Sequence, residues 1–406
     1  MSCSKFLKSV YLSWPVIGLC IVLDPSAAKA QTINHCKTTP QRVDALDFPN
    51  RHAWNIFMVL NHPAADKTVA RGSPDCTKPF GAPGTTSVWE TWRLARTEVF
   101  LRDGSEPPQW SDLSLPSGTG GIGQTPEDQN SFHVVKNEPK VAEDSSRPSI
   151  LIDTGPNQGV FDDHGGIGET HMNKPTYEFI KQNCLWSSDG LKRYARAFVD
   201  GKKPALSFPS DSIEVKAVWL EFTPQAIKEG KPTRYYTARE GDKQYGLTTL
   251  HVLTKDVPNW FWATFHHKDA PANAFELFDT FGQPAQVKGT VWENYVLGGT
   301  QTDFVNSTGK ASILSDHYIE FGFQKSSCIT CHATAHGSPD GTIGPSQSMA
   351  VALLRDKTGD DERGAPFPSW YLKDGKPFFM QTDFVYSIPF RARREMAAPP
   401  NRCLWQ

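Results

Sequence analysis

Three observations predict an α+β fold, helical in its N-terminal part and β-rich in its centre. Apolar residues recur at helical spacing in segments before residue 204. Aromatic and β-branched runs, parted by Pro, Gly and Asp, follow from 205 onward. Gly and Pro, 31 of each, divide the chain into short elements. The helix- and loop-rich part, 31–204, is expected to pack with the β-rich part, 205–406, as one folded unit. With 38% hydrophobic and 21% charged residues, the chain suits an ordered globule rather than a disordered or multi-spanning protein. Forty-two basic against 44 acidic side chains leave no global basic field for nucleic acid.

Residues 1–30 read as an export signal peptide. Lys5 and Lys8 supply the positive start, Val10 to Leu23 is mostly apolar, and Ala28-Lys29-Ala30 offers the small residues that precede cleavage at Gln31. Trp14-Pro15 interrupts the apolar stretch, which is too short to remain as a spanning helix. A lipid anchor on Cys20 is disfavoured by Leu19, where a small residue is wanted. The mature protein is therefore expected in the periplasm or outside the cell, with no integral membrane segment.

The first helix is predicted to follow Asn50, a suitable N-cap, with Trp54, Phe57 and Leu60 on one face and Asn61-His62-Pro63 as its stop. A second is marked by the capping box Ser87-Val-Trp-Glu90, carries Val88, Trp92, Ala95 and Val99, and ends at Asp103-Gly104. A third runs from Pro175 to about Leu185. Residues 111–170, rich in Gly, Ser, Pro, Asn and Asp, are expected to form a long irregular excursion. Strands are predicted at Ser212–Thr223, Arg234–Arg239, Tyr245–Thr254 and Trp260–His266. One internal echo, Thr300-Gln-Thr-Asp-Phe-Val-Asn-Ser307 against Met380-Gln-Thr-Asp-Phe-Val-Tyr-Ser387, is too short for a duplication. It is read as two similar turn segments flanking one site.

Of eight cysteines, Cys3 and Cys20 lie in the signal. Cys36, Cys76, Cys184 and Cys403 allow three disulfide pairings in an oxidising compartment, with Cys36–Cys76 expected first because both lie in loop-like sequence. The chemistry concentrates in Ser326-Ser-Cys328-Ile-Thr-Cys331-His332. Two cysteines three apart can each form a thioether with a haem vinyl group, and the adjoining histidine then ligates the iron. This composition yields about 0.005 such strings by chance. A thioredoxin-like pair would need a preceding βαβ unit, a zinc site from Cys328, Cys331 and His336 would need further ligands, and a plain disulfide would leave His332 idle.

Cys328-Ile-Thr-Cys331-His332 resembles the attachment motif of c-type cytochromes. Trp54-Asn-Ile-Phe-Met-Val-Leu-Asn61, Trp89-Glu-Thr-Trp92, Asn173 to Ile180, Ile213 to Trp219, Gly246 to His251 and Trp260 to Asp269 extend the likeness. Together they resemble a poorly characterised family of exported bacterial monohaem cytochrome-c-like proteins. The resemblance implies one covalent haem c, with Cys328 and Cys331 as thioether donors and His332 as proximal ligand. It also implies periplasmic electron transfer with a redox partner protein. The chain departs from a plain class I cytochrome c, because its motif stands close to the C-terminus and is followed by strand and loop sequence.

The sixth iron ligand stays open. His251, in an apolar strand, leads the candidates, with His267 and Met380 behind it and His317, His336, Met349 and Met396 also available. A vacant sixth position would instead favour a haem-dependent oxidoreductase acting on peroxide or a small organic substrate. The 376 residues expected after removal of 1–30 from the 406 keep that alternative in view, since a carrier needs only about 80–100 around its haem. A polar set, Asp153, Asp162-Asp-His164, Glu169 and His171, could ligate calcium or a transition metal, but no recognised loop spacing supports it and it is read as a solvated loop. Arg391-Ala-Arg-Arg394 is read as a surface run or a haem-propionate contact.

Overall fold

Long runs of aromatic and β-branched residues need cover on both faces, and here they assemble into one antiparallel sheet. The computed structural model describes residues 36–113, 161–320, 325–342 and 364–405, except single positions 38, 40, 41, 43, 241 and 272. The sheet has seven strands in the order β1-β2-β3-β5-β6-β7, with β4 paired to β5. These are β1 (Arg93–Leu94), β2 (Phe161–Met172), β3 (Ile213–Phe222), β4 (Thr237–Glu240), β5 (Lys243–Thr254), β6 (Phe261–His267) and β7 (Tyr295–Gln301). Outside it, β8 (His336–Gly337) pairs with β11 (Met380–Gln381), and β9 (Leu372–Lys373) pairs with β10 (Lys376–Pro377). Asn34–Gln406 forms one compact unit. The architecture is mixed helix and sheet, as the α+β prediction has it, and is not a small all-helical cytochrome fold.

The back face is covered by α1 (Pro49–Leu60). Residues 52–60 of this helix are all buried, because the chain also wraps its outer side. Phe265 of β6 meets Phe57 at 4.5 Å and Trp54 at 5.1 Å between ring centroids. The short α2 (Lys67–Ala70) is capped by Asp66, and α5 (Pro224–Lys228) by Thr223. The front face carries α3 (Lys174–Gln182), α4 (Ser188–Val199), α6 (Cys328–Ala333) and α7 (Ser387–Arg391). One apolar cluster joins Met172, Leu253 and Trp262 of the sheet to Tyr177, Ile180, Leu191, Ile329, Val385 and Ile388 above it.

Several expectations are corrected. Asn50 lies inside α1 rather than at its cap; Pro49 opens the helix, and Asn50 Nδ2 donates to the Phe278 carbonyl at 3.2 Å. The helix predicted from Ser87 to Val99 breaks into a 3-10 turn (Val88–Thr91), β1 and a π turn (Ala95–Val99). The capping box forms as predicted, but Arg93 then joins β2 and turns its buried guanidinium to the carbonyls of Gln109, Trp110 and Asp112. Satisfying a buried cation outweighs the modest propensity gain of a continuous helix. The predicted excursion ends early, since 161–170 belong to β2. Helix α4, capped by Ser187, was not predicted.

Among the described residues two disulfides form, Cys36–Cys76 and Cys184–Cys403, which are the first expected pairing and its complement. No helix among the described residues is long and apolar enough to cross a membrane. The export signal, Asp153 and Met349 lie outside the described residues.

Candidate functional site

Helix α6 has only six residues, under two turns, and its sequence accounts for its placement. Ser327 caps it by accepting from the Thr330 amide. Gln301, the last residue of β7, accepts from the Ile329 amide at 3.1 Å and donates to Ser327 Oγ at 2.8 Å. At the other end, Gln381 of β11 donates to the Ala333 carbonyl at 3.1 Å. These are the glutamines of the two Gln-Thr-Asp-Phe echoes, and the paired phenylalanines, Phe304 and Phe384, stack 6.1 Å apart. The two segments therefore hold the same short helix from opposite ends.

Positions i, i+3 and i+4 of a helix share a face, so Cys328, Cys331 and His332 form one stripe. All three are half-buried, whereas Ile329, Thr330 and Ala333 between them are buried in the core. Cys328 and Cys331 take no part in either disulfide. His332 Nδ1 lies 2.8 Å from the Phe384 carbonyl. A carbonyl can only accept, so Nδ1 carries the proton and Nε2 is the basic nitrogen. The ring stands edge-on to Trp262 at 4.6 Å and to Tyr386 at 5.7 Å. Such a second-neighbour carbonyl is what fixes the tautomer of a metal-ligating histidine.

The strand register locates the other candidates. Glu214, Leu253, Trp262 and Gln301 form one cross-strand row on the front face. The row touches the C-terminal segment at Ser387, which donates to Glu214 Oε1 at 2.7 Å, at His332 and at Ser327. The adjoining row is Lys216, His251, Thr264 and Gly299. His251 is thus buried on the His332 side of the sheet, about 7 Å along its strand from the row that meets His332. His267 lies on the back face. It stacks on Tyr235 at 3.6 Å, its Nε2 is 3.0 Å from the Arg234 carbonyl, and its Nδ1 accepts from the Asp269 amide at 3.1 Å. Both nitrogens are engaged and burial holds the ring neutral, so His267 is a structural residue.

Met380 is buried in β11 within the front cluster, and Met396 is exposed. His336 Nδ1 is 2.8 Å from the Thr334 carbonyl, with its ring edge-on to Phe379. His317 stands edge-on to Tyr318. Among the described residues, no group of three or more His, Cys, Asp or Glu is arranged to hold a metal ion. Within the polar set 153–171, Glu169 and His171 form a buried pair at 3.4 Å beneath Trp89, and Glu169 raises the His171 pKa despite its burial. Arg393 is tied by its backbone to Ser187 and Ser188, and Arg394 is exposed.

Among the described residues, buried front-side oxygens without a partner include Glu214 Oε2, Thr264 Oγ1 and Asp316 Oδ2. The Asp316 carboxyl is covered by Thr249, whose hydroxyl donates at 2.9 Å, and by the Tyr318 and Ile319 amides. Burial pushes its pKa up to about 7. Orphaned polar atoms of this kind mark places where a ligand or water completes the hydrogen bonding. Trp262, Gln301, Lys255, Asp383 and Phe384 were not singled out in the sequence; the echo was the signal that pointed toward two of the segments involved. No family model matches the chain, and no curated protein or solved structure is significantly similar to it.

Proposed function

We propose that this protein is an exported c-type cytochrome carrying one covalent haem c and serving periplasmic electron transfer to a redox partner protein. The observation that carries the reading is the single stripe of Cys328, Cys331 and His332 on α6. The donor set fits: two thiols and a histidine share one face, and the Phe384 carbonyl leaves His332 Nε2 basic. Bound haem supplies a one-electron iron couple. The chain's own part is to hold the thiols toward one edge, fix the imidazole and shield it with Trp262 and Tyr386. Two disulfides agree with an oxidising compartment. His251, from the adjoining row of the same face, is the proposed sixth ligand.

Haem staining after denaturing electrophoresis tests the reading, using full-length chain matured with export and haem-attachment machinery. Stain is expected in the parent and absent from Cys328→Ala/Cys331→Ala; an unstained parent overturns the proposal. A second reading, a haem oxidoreductase with an open sixth position, is favoured by the orphaned Thr264 and Asp316 oxygens. Cyanide and carbon monoxide separate the two. A low-spin spectrum indifferent to both supports the carrier, and prompt ligand-induced shifts support the enzyme. If His251 ligates iron, His251→Ala turns high-spin; an unchanged spectrum removes it.

A further inference from the structure

The Phe384 carbonyl reaches His332 from an unusual turn. Thr382 to Val385 closes with a Val385 amide to Thr382 carbonyl bond of 3.1 Å, and both central residues have positive φ, Asp383 at 48° and Phe384 at 68°. That is a type I′ turn, normally built from Asn and Gly because a side chain crowds the backbone there. Phe in its third position is held there against a cost of about 1–2 kcal/mol. Something in the surrounding structure must impose the conformation.

The chain contains its own control. Thr302-Asp-Phe-Val305 has the same four residues as Thr382-Asp-Phe-Val385, yet neither Asp303 nor Phe304 has positive φ. The difference is therefore tertiary. Asp303 is exposed and turns its carboxylate to the following amide. Asp383 is buried, accepts from the Phe208 amide at 2.7 Å through Oδ2, and pairs with Lys255 Nζ at 2.6 Å through Oδ1. Lys255 is fixed in turn: its amide donates to the Ser212 carbonyl, and its Nζ to the Pro258 carbonyl at 2.7 Å. Its ammonium also lies 5.7 Å from the Trp260 ring centre.

We infer that Lys255 and Asp383 are positioning residues for His332: their buried ion pair clamps the inverted Thr382–Val385 turn and so keeps the Phe384 carbonyl on Nδ1. The inference deepens the haem reading and rests on it for its functional consequence, because a bonded Nδ1 proton makes Nε2 a stronger donor to iron. Its structural half, that the pair maintains the His332 hydrogen bond, stands without haem.

The test uses full-length Asp383→Ala, Lys255→Met, Lys255→Arg and Asp303→Ala, each in haem-loaded and haem-free form. In the haem-free chain, nitrogen-15 NMR of selectively labelled histidine reads the His332 tautomer and its hydrogen-bonded Nδ1 proton. Asp383→Ala and Lys255→Met are expected to lose that signal, whereas Lys255→Arg and Asp303→Ala keep it. In the loaded chain the first two are expected to raise the midpoint potential, with about a tenfold change in the reduced-to-oxidised ratio at fixed poise, or 59 mV for one electron. A folded Asp383→Ala or Lys255→Met with the parental His332 signal overturns the inference. So does an Asp303→Ala effect of equal size. If the parent takes no haem, the cytochrome reading falls while the NMR arm still decides the clamp.

Discussion

The Cys184–Cys403 disulfide closes a loop spanning 219 residues, and its removal gives a prediction that can be worked from the structure. In the chain-entropy account, a cross-link of that span removes about 5.5 kcal/mol of unfolded-state freedom, against about 4 for the 40-residue span of Cys36–Cys76. The difference depends only on the ratio of spans and comes to about 1.5 kcal/mol. The native state changes little, because other contacts hold the same tail. Arg193 pairs with Glu395 at 2.6 Å, Ser187 Oγ donates to Glu395 at 2.6 Å, and the Ser188 amide donates to the Arg393 carbonyl at 2.9 Å. Cys184→Ala/Cys403→Ala is thus expected to keep the parental near-UV circular dichroism and lose about 3–5 kcal/mol in urea unfolding. Cys36→Ala/Cys76→Ala is expected to lose about 1.5 kcal/mol less. A loss under about 1 kcal/mol for the long loop, or a reversed order, would refute the unfolded-state argument.

Gln301→Leu removes the acceptor for the buried Ile329 amide and the donor to Ser327, so unfolding experiments are expected to show a loss of about 1–3 kcal/mol together with a lower yield of stained protein. Gly104 has φ 65° and its added Cβ would strike the Arg394 carbonyl; Gly104→Ala is expected to cost about 2–4 kcal/mol, which a Tm measurement reads. Desolvation of the carboxylate of half-buried Glu90 raises its pKa to about 7 against the opposing bonds from Tyr236 and the Ser87 amide, and burial raises Asp316 to about 7. A raised acid favours the protonated fold, so their contribution is complete below about pH 4 and is lost as pH rises through 7. Urea midpoints of the parent are expected to show this decline, and Glu90→Gln with Asp316→Asn to flatten it; an identical slope in the double variant counts against the assignment.

The legible parts of the fold were those written in short-range pattern. Aromatic and β-branched runs marked four of the strands, and the periodicity of Trp54, Phe57 and Leu60 marked α1. Where local pattern met a long-range demand, the latter prevailed. Ser87–Val99 has helical spacing throughout, but a buried Arg93 needed the carbonyls of 109–112, and no window of helical periodicity contains that need. The candidate site divides in the same manner. The echo at 300–307 and 380–387 was visible, but its consequence, two glutamines holding opposite ends of α6, depends on how β7 and β11 are brought to that helix.

The sequence alone determined that Cys328, Cys331 and His332 share a face once a helical turn forms, because spacings of three and four residues meet on any such turn. It also determined that the middle of the chain becomes sheet, since alternating bulky residues need a pleated surface with two covered sides. Only the tertiary structure decided which cysteines pair, which histidines lie on the His332 side and which carbonyl orients the imidazole. The cause is sequence separation: Lys255 pairs with Asp383 across 128 residues, beside a turn whose four-residue copy elsewhere has neither central residue in the left-handed region. Four residues of sequence cannot distinguish the copies. A buried ammonium does.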